Sequence, residues 1–296
     1  MNASPLSGAP IGARRRGTPP SPRSTAPSDR NYREKLIGTQ HFDARIDRLV
    51  IGEQSFVGRD RTGRAPPKHR HYPVVVASVL SVNLARVRAN PDKPARRTGI
   101  DKAATPDAVM VRAPGPMRGG MGSGLVGDTI GNQKLHGGDD QAVYVYSRED
   151  LDEWATRLER PLTDGMFGEN LTTSGVDVTG ALIGERWRVG TGGLLLEVSA
   201  PRTPCRTFAA FLDIAGWIKT FTDAGKPGAY LRVISPGPVR AGDEIVVEDK
   251  PDHDVTIALV FRARMTDPSL LPRLRAADAL SDELKAFVAD RVTKSI

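Results

Sequence analysis

The chain has 296 residues, a formal net charge of +7 and a single cysteine, which excludes an intrachain disulfide and a cysteine-rich zinc site. Aromatic residues make up 5% of it, while glycines number 30 and prolines 23, a balance that favours short strands and many turns over a helical bundle. No run approaches the roughly 20 apolar residues that cross a bilayer, and the opening MNASPLSGAPIGARRRG lacks the apolar core of a secretory signal, so a cytoplasmic protein with no membrane partner is expected.

Residues 1–72 mix proline, serine and arginine with few apolar positions and cannot bury enough surface to offset their chain entropy. They read as a disordered basic tail. The tail holds much of the excess charge, in runs such as ARRRG and PKHRH, but no basic helix or aromatic stacking surface accompanies it, so nucleic acid is disfavoured as a partner.

At YPVVVASVLSVNLA, residues 72–85, the composition changes to a β-branched run that opens a folded domain, assigned to residues 73–250. AVMVRA (108–113), QAVYVYS (141–147), RWRVG (186–190), LLLEVSA (194–200), AYLRVIS (229–235) and DEIVVED (243–249) each read as strands between glycine, proline or aspartate. Seven short strands with glycine-rich turns predict a mainly β fold, a closed or nearly closed β-barrel with a few helices. Between strands, SREDLDEWATRLER (147–160) opens on a serine cap with acids in the first turn and spaces Leu151, Trp154 and Leu158 along one helical face. After KPDHD the pattern turns helical in TIALVFRARM, LLPRLRAADAL and SDELKAFVADRV, which makes residues 251–296 a small C-terminal helical extension.

Three stretches carry more than scaffold chemistry. KLHGGDDQAVYVY sets His136 before Gly137 and Gly138, where backbone amides can approach a ligand. GMFGENLTT sets Glu169 and Asn170 behind two glycines, and SAPRTPCRTF places Arg202 and Arg206 around Cys205. Each has a plainer reading: a turn histidine, turn or cap groups, and a buried small thiol. Neighbouring positive charge lowers a thiol pKa and gives a thiolate suited to soft metals. The glycine run GGMGSG (119–124) lacks the spacing of a dinucleotide loop, and no nucleophile elbow, Walker loop or HExxH is present.

The ordered series GIDK (99–102), GLVGD (124–128), LHGGDDQAVYVYSREDLDEW (135–154), FGENLTTSGVDV (167–178), IGERWRVG (183–190), PRTPC (201–205) and PGAYLRVISPGPVRAGDEI (227–245) resembles the MOSC domain family in its YiiM-like subgroup. The resemblance implies a MOSC-type β-barrel followed by a three-helix extension. It implies the molybdenum cofactor as ligand, a molybdopterin whose metal Cys205 would bind, with Cys205 as the catalytic residue. Lys102, His136, Gly137, Gly138, Glu169, Asn170, Arg202 and Arg206 become the cofactor-binding candidates, with Lys102 and Arg202 as phosphate anchors. The implied activity is reduction of N-hydroxylated small molecules with electrons from a separate reductase. A carrier that holds sulfur or the cofactor at Cys205 stays open as the second reading, as does a homodimer.

Overall fold

The computed structural model describes residues 76–293. The expected tail, residues 1–72, lies outside them. The strands are β1 (Ser78–Ala85), β2 (Arg88–Ala89), β3 (Arg97–Thr98), β4 (Lys102–Thr105), β5 (Val109–Val111), β6 (Val143–Ser147), β7 (Leu171–Ser174), β8 (Arg186–Val189), β9 (Leu194–Pro201), β10 (Ala229–Ser235), β11 (Gly237–Val239) and β12 (Ile245–Asp249). The helices are α1 (Arg148–Arg157), α2 (Arg206–Leu212), α3 (Trp217–Ala224), α4 (Ile257–Met265) and α5 (Asp282–Thr293). All seven strands expected from the sequence are present.

Eight strands form one mixed sheet in the order β12-β8-β9-β10-β6-β7-β1-β4. Every pairing is antiparallel except β6 with β7, where Val145 lies beside Leu171. A parallel pair needs a crossover, and α1 supplies it. Ser147 caps that helix by accepting a hydrogen bond from the Asp150 N–H at 3.2 Å, and Leu151 and Trp154 are its buried face, as the serine cap and apolar spacing predict.

Of the closed or nearly closed barrel expected from the sequence, the structure shows the form that stops short of closure. Closure would require β12 to pair along β1. Only the start of β1 is reached, through Val79 N–H to Asp243 O (2.8 Å), Ile245 N–H to Ala77 O (2.7 Å) and Gly242 N–H to Val79 O (2.8 Å). Farther along the strand, Val82 to Ala85 pair with β4, which occupies the edge that closure would need.

Two apolar cores hold the sheet. One joins residues of the sheet to those of the C-terminal elements α4, a 3-10 run at Pro268–Ala276, and α5. The other is aromatic and sits between β6, α1, α2 and α3. Phe167 is its hub, with ring centroids 5.0 Å from Tyr146, 5.2 Å from Phe208 and 5.6 Å from Trp217 in edge-to-face geometry. The hub fixes from behind the turn on which part of the candidate site is built. Among the described residues no helix is long and apolar enough to cross a membrane.

Candidate functional site

Adjacent strands β6, β10 and β9 bring their residues to one cavity of about 310 Å³. Register sets Tyr230 of β10 beside Tyr144 of β6 and Ala200 of β9, and two residues past Ala200 the chain reaches Arg202. Cys205 then serves as the N-cap residue of α2 with extended backbone, φ −132° and ψ 165°. Of the sequence candidates, Lys102, His136, Gly137, Asn170, Arg202, Cys205 and Arg206 line the cavity; Gly138 and Glu169 do not.

The cysteine wall carries the chemistry. Burial pushes the Cys205 thiol up, but a hydrogen bond from His136, the charge of Arg202 and the Phe208 backbone N–H together pull it down to about 7. At neutral pH a large share is thiolate. Arg202 is buried, lies 4.1 Å from the Phe208 ring centroid and 4.9 Å from that of Tyr144, and donates to the Phe167 carbonyl. The Tyr144 hydroxyl donates to Pro227 O at 2.8 Å and its oxygen accepts from Arg202. The hydroxyl of Tyr230 makes no hydrogen bond among the described residues, and burial raises its pKa, so it faces the cavity as a protonated donor.

The floor is different. Asp128 accepts from Lys102 Nζ at 2.6 and 2.7 Å, Ser123 Oγ at 2.8 Å, Asn170 Nδ2 at 2.9 Å and Ala85 N–H at 2.9 Å. Burial raises this carboxyl, yet the Lys102 charge and those hydrogen bonds outweigh it and hold the group below the usual carboxylate range. Lys102, read from the sequence as a phosphate anchor, is therefore already neutralised by a carboxylate. Asn170 is a connector: its Oδ1 accepts the Tyr144 N–H at 3.1 Å while its Nδ2 serves Asp128.

Glu169 sits behind the wall, wholly buried. Its carboxylate accepts from Gly165 N–H at 2.6 Å, Phe167 N–H at 3.0 Å and Thr172 Oγ1 at 2.9 Å, so it shapes the turn whose Phe167 carbonyl holds Arg202. Burial pushes this carboxyl up to about 7 against those donors. The glycine pair is also partly spent. Gly137 and Gly138 adopt φ of 88° and 81°, and a Cβ on Gly137 would stand 2.6 Å from the Gly122 carbonyl oxygen. The Gly138 N–H donates to that carbonyl at 2.9 Å and the Gly137 N–H to Gln141 Oε1 at 3.3 Å. The run GGMGSG thus packs against the second glycine pair. Arg206 reaches outward to Asp92 at 2.9 Å.

Asp128, Tyr144 and Tyr230 escaped the sequence reading as site residues, although each stands inside a quoted motif. For the tyrosines the usable signal was a pair of aromatics on neighbouring strands whose alternation faces one side.

Residues 132–246 match the family model described as the MOSC domain. The chain is 29% identical over 213 residues to the uncharacterized protein YflK of Bacillus subtilis, covering 71% of this chain and 91% of that one. It is 34% identical over 137 residues to protein YiiM of Escherichia coli, covering 45% and 60% respectively. A protein of Gibberella moniliformis named reductase is 31% identical over 157 residues, which cover 50% of this chain and 27% of that protein. The crystal structure of YiiM from Geobacillus stearothermophilus superposes with a TM-score of 0.58 at 25% identity, covering 73% of this chain and 98% of that one. The fold and the match together define a MOSC domain, the molybdenum cofactor sulfurase C-terminal type. With its YflK and YiiM relatives and the YiiM structure, the chain is a YiiM-like MOSC protein.

Proposed function

We propose that this chain binds the molybdenum cofactor through Cys205 and reduces N-hydroxylated small molecules with electrons supplied by another protein. The observation that carries the reading is the Cys205 thiol held at about 7 on the cavity wall beside Arg202 and His136. Among the described residues no group of three His, Cys, Asp or Glu could hold a metal ion unaided. One soft thiolate therefore suits a metal that arrives with ligands of its own, as a dithiolene-bound molybdenum does.

The donor set fits such a group in other respects. Arg202 offers a fixed positive charge to an anionic ligand, and the Tyr230 hydroxyl offers a donor not spent on protein. When bound, the cofactor supplies the two-electron chemistry. Reduction of an N–OH group breaks the N–O bond, forms an N–H bond and releases water, consuming two electrons and two protons. Tyr230 is placed to donate to the substrate oxygen, and His136 holds the thiolate orientation through its hydrogen bond. The aromatic core behind Tyr144 and Phe208 excludes water from that side.

The test is made with protein from a host that synthesises the cofactor, beside Cys205→Ser. Wild type should carry molybdenum by plasma mass spectrometry and convert an N-hydroxylated nucleobase to its amine with reduced methyl viologen as electron source. The serine variant should carry little metal and show no turnover. Equal molybdenum in both proteins removes the ligand assignment. A sulfur added to Cys205, with no molybdenum, favours carriage over reduction.

A further inference from the structure

The hairpin of β2 and β3 borders the cavity mouth and carries more charge than the fold uses. Arg86 and Arg88 pair with Asp101 at 2.6 and 3.2 Å, and Arg206 pairs with Asp92 at 2.9 Å. Lys93, Arg96 and Arg97 are exposed and make no ion pair among the described residues; the Arg97 guanidinium donates only to the Val87 carbonyl at 2.8 Å. Six cations thus face two carboxylates, an excess of four on one edge of the mouth. Val87, between Arg86 and Arg88, is 40% exposed, and Leu135, which lines the cavity, is 65% exposed.

Runs of surface charge are most often plain solvated faces. This one differs in place and in make-up. It adjoins the wall that holds Cys205, and it sets bare apolar side chains among arginines, the composition of a protein interface. A small anion would be gripped by buried donors converging on one point, whereas these three heads are exposed and share no partner.

We propose that this basic edge is the docking surface for an acidic electron-transfer protein that feeds the site. The inference rests on the reductase reading, because the reduction consumes two electrons that the substrate does not bring. Interfaces of this kind are small and weak and depend on electrostatic steering more than on buried area. Excess charge beside the mouth raises the encounter rate and orients the donor toward the metal-binding wall.

The experiment uses the full-length, cofactor-loaded chain and the double variant Lys93→Glu with Arg96→Glu, whose exposed side chains stand on the outer lining of the cavity and, among the described residues, make no hydrogen bond to the Cys205 wall or to Asp128. Two electron sources are compared: reduced flavodoxin, an acidic flavoprotein, and methyl viologen, which needs no docking. With flavodoxin, wild-type kcat/KM for the donor should fall roughly tenfold between low salt and about 0.3 M salt. The double variant should already be about tenfold lower at low salt and change little with salt. Viologen-driven turnover should stay within about twofold of wild type in both. Equal flavodoxin kinetics in the two proteins overturns the docking surface. A matching loss with both donors and a raised KM for the N-hydroxylated base also overturns it, since the cations would then serve the substrate. Binding of oxidised flavodoxin, followed by chemical-shift changes, reads docking without turnover. If wild type binds it in a salt-dependent manner and the variant does not, docking stands even where absent viologen turnover defeats the reductase reading. No binding by wild type defeats docking alone.

Discussion

The floor and the wall of one cavity treat their polar groups in opposite ways. On the floor, the buried Lys102 and Asn170 each bond to Asp128, a carboxylate that does not itself line the cavity. On the wall, Cys205 is drawn toward its thiolate and Tyr230 keeps an unspent hydroxyl. Buried polar networks that are fully satisfied fix geometry, and breaking one leaves a costly orphan. Groups left unsatisfied in a cavity are available to a ligand. The contrast separates residues that build the site from residues that act in it, and mutants on the two sides should fail differently.

The largest effect is expected at the floor. Asp128→Asn leaves the buried Lys102 ammonium without its counter-charge and should cost about 3–5 kcal/mol in urea unfolding. Combining it with Lys102→Met should recover part of that loss, because the buried charge is then gone. A single-variant loss below about 1 kcal/mol would mean that the pair is not held as ions.

Glu169 gives the next effect, read through pH. Its folded value of about 7 lies above the unfolded carboxylate value near 4.3, so the folded state keeps its proton longer. Stability from this group is greatest below the unfolded value, falls as pH rises from about 4.3 to about 7, and is level above that. The gap corresponds to about 4 kcal/mol. Glu169→Gln cannot ionise, so its unfolding free energy should be flatter than that of wild type between pH 5 and 7. Parallel pH profiles for the two proteins would show that Glu169 does not titrate there.

This division was only half legible in the sequence. Strand positions followed from β-branched runs, and α1 from its cap and apolar spacing, because those signals are local. β7, LTTS, offered no apolar alternation, and the open edge of the sheet depends on which partner wins the end of β1; both are settled by tertiary contact. Motif resemblance gathered seven of the nine candidates onto one cavity, yet charge alone could not show that Lys102 is spent. Its partner Asp128 lies 26 residues along the chain, and nothing in either residue announces the pairing. Glu169 reads as a ligand from its place beside two glycines and proves to be the brace of their turn.

On the wall, the expected effect is on reactivity more than on folding. Because the folded Cys205 value of about 7 is below that of an ordinary thiol near 8.5, its contribution to stability is present above the ordinary value and is lost as pH falls through 7. That slope is opposite in sign to the one from Glu169. In the cofactor-free protein, the rate of iodoacetamide alkylation should rise with pH around a midpoint of about 7. His136→Ala removes the hydrogen bond to the sulfur and should move the midpoint up toward the ordinary value, with little change in urea unfolding. A wild-type midpoint already at the ordinary value would leave Cys205 a plain half-buried thiol.

The sharpest test of the contrast comes from two tyrosines side by side in one ladder, of which Tyr230 gives the smallest effect on folding. Tyr144→Phe orphans the buried Pro227 carbonyl and removes an acceptor from Arg202, so its main effect should be a loss of about 1–3 kcal/mol in unfolding. Tyr230→Phe removes a hydroxyl that makes no hydrogen bond among the described residues, so unfolding should shift by no more than about 0.5 kcal/mol. What it loses is a donor to the ligand, on the order of 1.5 kcal/mol, and kcat for the N-hydroxylated base should drop about tenfold. Cys205 alkylation in the cofactor-free Tyr230→Phe protein should keep its midpoint, because His136, Arg202 and the Phe208 N–H govern that thiol. If instead Tyr230→Phe unfolds the chain easily and the surviving fraction turns over normally, the hydroxyl has a protein partner after all and belongs with the residues that build the site.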